Sequence, residues 1–155
     1  MLKRKFIKSS KKITDADIAR VEKTIRLTLP DELKNLYRKY NGGEVEGGRK
    51  IYVTDAGVEY EVKHFLPIAY PRFEADALLE DSYIFFVKEK KLIPKNFIPF
   101  AMDSGAFRYC VNVDDGQVYF SNFDKDDTPI NCMERVASSI EQFVNGLVTE
   151  DEAYG

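Results

Sequence analysis

The side chains able to perform nucleophilic or metal chemistry are few in this sequence. His64 is the only histidine. It lies in the alternating stretch 61–65, so we expect an exposed or edge side chain of a strand instead of a catalytic base. A single histidine does not make a His-based zinc site. No Gly-x-Ser-x-Gly motif occurs, and Asp103-Ser104-Gly105 has the composition of a turn. Neither a serine hydrolase nor a zinc enzyme is indicated.

Paired carboxylates are the remaining candidates for acid–base chemistry, at Asp114-Asp115, Asp126-Asp127 and 150–152. A hydrolase needs two carboxyl groups held across a cleft in different environments, whereas neighbours in a turn both face water. Asp124, Asp126 and Asp127 could hold calcium weakly, but the glycine and closing glutamate of an EF-hand are absent. We therefore expect no catalytic residue, no metal and no cofactor.

Cysteine usage and hydropathy predict a cytoplasmic protein. Cys110 and Cys132 form no CxxC motif and no zinc spacing, which suits a reducing compartment. Cys110 lies in an apolar run, where a thiol acts as a small hydrophobic group. The basic opening at residues 1–8 lacks the apolar region of a secretory signal. No stretch approaches 18 uncharged apolar residues, so no membrane association is expected.

The net charge of −3 is the sum of a basic N-terminal part and an acidic remainder. Residues 1–40 carry 12 Lys/Arg and 5 Asp/Glu, whereas residues 41–155 carry 11 and 21. Ordinary solvated faces account for this most simply. A sharper hypothesis is that the acidic part faces a basic partner, where charge speeds encounter and rejects wrong partners. Nucleic acid is not expected as the ligand, because a phosphate backbone requires a concentrated positive surface.

Two helices open the chain, and both have clear boundary signals. Thr14 is a good N-cap, with an apolar stripe at Ile18, Val21 and Ile25 and an end before Pro30. Pro30 is expected at the first position of a second helix, which Asn41-Gly42-Gly43 ends in a left-handed conformation.

The middle of the chain is less clearly patterned. Residues 41–50 are expected to form a flexible loop with four glycines, and they lack the Gly-Lys-Ser/Thr ending of a phosphate-binding loop. Strands are expected at about 50–54 and 59–66. A helix is expected from about Glu74 to Glu80 or further, although Tyr83–Val87 could equally form a buried strand.

The clearest β signal is a hairpin. Residues 106–113 and 117–122 are joined through Asp114-Asp115-Gly116, whose Asp-Gly pair suits a tight turn. The hairpin is expected in the middle of an antiparallel sheet. An acidic loop at 124–129, a last helix from about Cys132 or Met133 to Gly146, and a frayed acidic tail at 148–155 follow. The whole indicates an α+β fold: one domain over 1–155, with a core at about 13–147, a basic extension at 1–12, and helices flanking a central antiparallel sheet.

Several segments in this order resemble the SUKH superfamily, named after a fungal regulator of cell-wall glucan synthesis and its bacterial relatives. The likeness runs from about residue 13 to residue 147, and the variable middle at 44–92 carries little of it. The segments that carry it are a helix with Ile18, Val21 and Glu22, then Leu27-Thr28-Leu29-Pro30-Asp31-Glu32-Leu33, Tyr37 and Tyr40-Asn41-Gly42-Gly43, then Phe97-Ile98-Pro99-Phe100-Ala101 with Asp103-Ser104-Gly105, then Tyr109–Asn112, Gly116–Tyr119 and Ser138–Phe143.

The resemblance implies an α+β fold and a function in protein binding. Bacterial members are typically immunity proteins that neutralise a polymorphic toxin by direct binding, and a basic toxin domain such as a nuclease would suit the acidic surface. A scaffold that recruits several partners, as the fungal relatives imply, is the alternative, and a small-molecule enzyme is a second alternative that would need a pocket. The residues expected to contact the toxin are acids and aromatic anchors: Glu44, Glu46, Tyr52, Asp103, Tyr109, Asp114, Asp115, Tyr119, Phe123, Asp124, Asp126 and Asp127.

Overall fold

Helices and strands alternate irregularly along the chain in the computed structural model, which describes all 155 residues. The α-helices are α1 (Asp15–Ile25), α2 (Asp31–Lys39), α3 (Leu79–Tyr83), α4 (Ile140–Asn145) and α5 (Glu150–Tyr154), and a π-helix (Ile84–Glu89) continues α3. The strands are β1 (Phe6–Ile7), β2 (Glu44–Val45), β3 (Ile51–Val53), β4 (Glu59–Glu61), β5 (His64–Phe65), β6 (Phe97–Met102), β7 (Arg108–Asn112), β8 (Val118–Ser121) and β9 (Met133–Ala137). The α+β class is confirmed.

A five-stranded antiparallel sheet forms the centre, with the strand order β5-β6-β7-β8-β9. The predicted hairpin is present, because β7 pairs with β8 in the register Arg108↔Ser121 to Val111↔Val118. β7 is the middle strand. Two small sheets lie beside the central one: β1 pairs with β2, and β3 pairs with β4. The predicted strand at 59–66 is therefore two strands in different sheets.

Both faces of the central sheet are covered, so β7 is buried along its whole length. On one face, the ring of Tyr109 packs 5.3 Å from that of Phe143 on α4. On the other face, Arg108 donates a hydrogen bond from Nε to the Oγ of Ser82 on α3 at 3.3 Å. Cys110, the next residue along β7, is a buried free thiol, and burial raises its pKa. None of the helices has the length and apolarity needed to cross a lipid bilayer.

The first helix begins where the sequence predicts. Thr14 and Asp17 form a capping box, in which each side chain accepts a hydrogen bond from the other residue's backbone N–H. The helix ends at Arg26, which adopts a left-handed conformation with φ 58°. Pro30 is the N-cap of α2 and so lies one position earlier than predicted.

The Asn41-Gly42-Gly43 segment does not cap α2 as predicted, because α2 ends at Tyr40 in an extended conformation. The Asn41 side chain instead crosses to a neighbouring segment, where Oδ1 accepts from the N–H of Ile68 at 2.7 Å and Nδ2 donates to its carbonyl at 3.0 Å. Gly42 has φ +71°, and a Cβ there would lie 2.7 Å from the backbone nitrogen of Pro67. The segment joins α2 to the edge of the sheet, where Gly43 bridges to Phe65.

Three further expectations are wrong. The helix in the middle begins at Leu79 instead of Glu74; of the two alternatives left open for Tyr83–Val87, the helix is the one present. The first part of the predicted last helix is β9, because residues 133–137 pair with β8 and complete the sheet. Helix α4 starts only after Ser139, whose side chain accepts the N–H of Gln142. The acidic tail is the capped helix α5, in which Thr149 and Glu152 form a capping box.

The basic extension and the glycine-rich loop are also ordered parts of the fold. Phe6 on β1 is buried in the core, where its ring stacks 4.9 Å from that of Tyr40. Residues 41–50 contain β2 and a short 3₁₀ turn at Glu46–Gly48 instead of a flexible loop. The hydrophobic core therefore begins before residue 13.

Candidate partner-binding surface

Two of the predicted aromatic anchors are core residues. Tyr109 has 0% of its surface exposed, and its hydroxyl donates to the backbone carbonyl of Glu61 at 2.6 Å. Tyr52 is also buried, and its ring lies 5.4 Å from that of Phe143. Neither side chain can reach a partner, so the expectation that they anchor an interface is wrong. The physical reason is that β7 and β3 are each covered by α4.

The predicted acids form three separate groups instead of one cluster. Asp103 and the 124–127 loop lie where β7 begins and β8 ends, whereas Asp114 and Asp115 lie at the opposite end of the same hairpin. The five residues of β7 separate those ends by roughly 13 Å. Glu44 and Glu46 lie beyond the other edge of the sheet, beside β5. A single partner contact would therefore use one of these groups.

Glu44 is already engaged within the chain. Its carboxylate lies 3.0 Å from the Lys50 ammonium and 3.4 Å from that of Lys8. Burial alone would raise the pKa of Glu44, but the two lysines lower it below its usual value. Glu46 is exposed in the 3₁₀ turn. The carboxylate of Glu44 thus serves to join β1, β2 and the start of β3.

The hairpin turn has its own internal hydrogen bonds. Asp115 accepts from the backbone N–H of Gln117 at 2.8 Å and from the hydroxyl of Tyr119 at 2.7 Å. Burial and the bond to Asp115 raise the pKa of Tyr119 to about 12. Asp114 accepts from the side chain of Asn96. These two acids are exposed but are held in place by the turn.

The turn between β6 and β7 positions an aromatic side chain. Asp103 accepts from the backbone N–H groups of Gly105 at 2.9 Å and Phe107 at 2.8 Å, and burial raises its pKa. Ala106 adopts a left-handed conformation with φ 67°, which is rare for a residue with a Cβ. The turn is thereby bent so that Phe107 points toward Phe123.

Four phenylalanine rings meet at this end of the sheet. Phe123 stacks on Phe86 at 4.9 Å and meets Phe107 edge-on at 5.2 Å, and Phe86 meets Phe85 at 5.0 Å. Phe85 has 43% of its surface exposed. Phe85 and Phe86 come from the π-helix, a rare element that is frequent at functional sites. Of the four rings, sequence reasoning identified only Phe123.

The 122–132 connection places acids beside these rings. Asp124, Asp126 and Asp127 are all exposed, and Lys125 donates from Nζ to the backbone carbonyl of Asn131 at 2.8 Å. Hydrogen bonds from the Asn131 amide and the Thr128 N–H lower the pKa of Asp127. We call the surface formed by Phe85, Phe86, Phe107, Phe123, Asp124, Asp126, Asp127 and Ile130 the acid–aromatic end.

The acid–aromatic end combines exposed apolar area with negative charge. Ile130, in the connection that follows Phe123, has 56% of its surface exposed, and Phe85 reaches Phe123 through the ring of Phe86. Interface hot spots favour aromatic groups surrounded by a polar rim. No group of three or more His, Cys, Asp and Glu side chains is placed to hold a metal ion. The acid–aromatic end can therefore bind a surface that carries positive charge and an apolar pocket.

Comparison with known proteins agrees with this fold and gives it a family. Residues 12–146 match the SMI1 / KNR4 family (SUKH-1). The chain is also similar to the SPbeta prophage-derived uncharacterized protein YokK of Bacillus subtilis (strain 168), with 27% identity over 161 residues that cover 88% of this chain and 76% of that protein. The family match covers most of the chain, including both opening helices and the whole central sheet, and the chain therefore belongs to the SMI1 / KNR4 family (SUKH-1).

Proposed function

We propose that this protein acts by binding another protein through the acid–aromatic end, and that it performs no catalysis. The observation that carries the proposal is the cluster of phenylalanine rings, of which Phe85 is exposed and the others are partly buried, beside three exposed carboxylates at one end of the sheet. Exposed apolar side chains supply affinity once a partner covers them. The carboxylates mainly speed association and select a basic partner.

The partner that fits best is the catalytic domain of a polymorphic toxin. Bacterial SUKH proteins, as the sequence resemblance implies, neutralise such toxins, and the name of the Bacillus subtilis relative records a prophage origin without an activity. A nuclease domain is the specific expectation, because an enzyme that binds a phosphate backbone presents concentrated positive charge. Such a surface is complementary to Asp124, Asp126 and Asp127. The complex would form in the cytoplasm.

The direct test is a binding measurement with the C-terminal domain of a toxin encoded beside this gene. We expect a 1:1 complex whose dissociation constant lies below about 1 µM. Failure to form a complex at micromolar concentrations of both proteins would refute the toxin proposal. If the toxin acts on a model substrate as fast with an equimolar amount of this protein as without it, neutralisation is refuted even if a complex forms.

A matched pair of variants tests the surface itself. The triple variant Asp124→Asn, Asp126→Asn and Asp127→Asn removes three charges while keeping side-chain volume, and Asp114→Asn with Asp115→Asn is the control at the opposite end of β7. We expect the triple variant to associate about tenfold more slowly at low salt and to show a weaker salt dependence. Equal association rates for the two variants would exclude the acid–aromatic end as the contact.

A further inference from the structure

A second surface lies beside β5, an edge strand of the sheet, and differs in character from the acid–aromatic end. It is a recess of about 480 Å³ beside β5. Its lining is almost entirely polar: Lys8, Ser9, Glu44, Lys63, His64, Arg72 and Phe73. Residues 41–155 carry an excess of acids, yet the recess brings Lys63 and Arg72 of this part together with Lys8 of the basic N-terminal part.

The charges around the recess leave an excess of positive charge. Arg72 is paired with Asp76 through two hydrogen bonds, from Nε at 2.8 Å and from NH2 at 2.9 Å. Glu44 is shared between Lys8 and Lys50.

Lys63 is exposed and makes no ion pair, so its ammonium is free to meet a ligand. The four cations and two carboxylates of this group sum to a charge of +2.

His64 forms the floor of the recess, and its side chain makes no hydrogen bond within the chain. Its Nε2 is sealed from solvent and has no partner, whereas Nδ1 is not sealed in this way. Burial, and then the charge of Arg72, lower the pKa of His64 to about 4. The ring is therefore neutral at pH 7 and carries one N–H. Because Nε2 is sealed from solvent, Nδ1 is the nitrogen that can meet a ligand in the recess.

The rim of the recess is aromatic. Phe73 has 59% of its surface exposed, and the guanidinium of Arg72 lies 5.8 Å from the centre of its ring. The ion pair between Arg72 and Asp76 holds the irregular segment that carries Phe73, and the Oγ of Ser10 bonds to the carbonyl of Tyr70 at the start of this segment. Phe73 is thus a fixed, exposed ring beside a positively charged recess.

From these observations we propose that the recess binds a small molecule that carries a phosphate group and a flat apolar part. Lys63 and Lys8 meet the phosphate, the imidazole of His64 donates to it, and the flat part lies on Phe73. Phosphate is bound by charge-assisted hydrogen bonds of this kind. The site shares no lining residue with the acid–aromatic end and does not require a toxin partner.

The test uses His64 as a probe, since one histidine gives one set of imidazole NMR signals. The probes are inorganic phosphate and phenyl phosphate, titrated into the full chain at pH 7.0 and constant ionic strength. We expect saturable shifts of the His64 ring signals, with dissociation constants in the range of about 1 mM. Phenyl phosphate should bind roughly fivefold more tightly than inorganic phosphate, as expected for one aromatic contact.

Three variants separate this site from unspecific attraction of anions. Lys63→Gln should weaken both probes at least about fivefold, whereas Lys95→Gln, an exposed lysine at the start of β6 far from His64, should leave both unchanged. Phe73→Ala should make the two probes bind equally. Shifts that stay linear to about 20 mM, or that Lys63→Gln does not alter, would overturn the proposal. Equal binding of benzoate and phenyl phosphate would refute the choice of phosphate.

Discussion

Replacing Asn41 by alanine should destabilise the fold strongly. Asn41 lies between helix α2 and a pair of glycines, a position where a side chain is usually exposed. Asn41 is 2% exposed. Its side chain makes three hydrogen bonds, two with the backbone of Ile68 and one from Nδ2 to the carbonyl of Lys11 at 2.9 Å. These bonds join α2, the N-terminal segment and the segment after β5.

The magnitude follows from what the substitution leaves behind. Ile68 is completely buried, so its N–H would lose its partner in a place that water cannot reach, whereas its carbonyl keeps the hydrogen bond from the N–H of Tyr70. An unsatisfied buried backbone group costs about 1–3 kcal/mol. The carbonyl of Lys11 belongs to an exposed residue and can bind water instead. We therefore expect Asn41→Ala to lower the free energy of unfolding by about 2 kcal/mol, which for a chain of this length is roughly 4–8 °C in Tm.

The assay is urea unfolding followed by circular dichroism, with the slope m compared between variants to check that only stability changes. Asn35→Ala on α2 is the control, because Asn35 is exposed and accepts only from the guanidinium of Arg38; it should change stability by less than about 0.5 kcal/mol. A loss below about 1 kcal/mol for Asn41→Ala would show that these hydrogen bonds do not hold the segments together.

An isosteric variant tests the same bonds in a second way. Asn41→Asp keeps an oxygen for the N–H of Ile68 but replaces the donor by a carboxylate oxygen that faces two carbonyls. We expect a loss at pH 7 at least as large as that of alanine. Protonation restores one donor, so the difference from the wild-type protein should shrink as the pH falls toward 4. A loss that is independent of pH would contradict this assignment of the donor.

Three further outcomes follow from the structure. Gly43→Ala should lower the free energy of unfolding by at least about 2 kcal/mol, because φ is +109° and a Cβ would collide with the carbonyl oxygen of Ile7. The control is Gly57→Ala, where φ is +82° but the space is open, and it should lower the free energy of unfolding by about 1 kcal/mol in the same urea assay. Tyr109→Phe should cost about 1 kcal/mol and leave partner binding unchanged by calorimetry, because its hydroxyl bonds only inside the core. The unfolded chain protonates His64 near pH 6.5 and the folded chain near pH 4, so stability should fall as the pH is lowered through this window, and His64→Gln should flatten that part of the stability profile.

The elements that the sequence predicted correctly are those whose signals are local. The capping residue Thr14 and the Asp115-Gly116 turn each act within a few residues, so α1 and the β7–β8 hairpin lie where expected. Strand β9 was mistaken for helix because Val136, Ile140 and Phe143 also suit a helical period. Its conformation is decided by pairing with β8, a contact that no short window of sequence contains.

The candidate site was predicted only in part, for a different physical reason. The acids at 124–127 were identified because exposed carboxylates are recognisable by type, and the loop is indeed exposed. The buried positions of Tyr52 and Tyr109 could not be read in the same way, since a strand covered on both faces has no alternation of polar and apolar residues. A charged residue predicts an exposed position more reliably than an aromatic residue predicts either position, because an aromatic ring is stable in both environments.

The binding end proposed here depends on backbone irregularity more than on the regular elements. Phe85 and Phe86 are brought together by a π-helix, in which the N–H of Lys90 reaches the carbonyl of Phe85 five residues earlier. Phe107 is aimed by a left-handed residue within a turn that Asp103 holds. A regular α-helix would turn the rings of Phe85 and Phe86 by a different angle, and an unstrained turn would direct Phe107 elsewhere. Conformations of this kind cost free energy and persist where surrounding contacts enforce them; here the enforced result is a ring cluster that leaves Phe85 open to a partner.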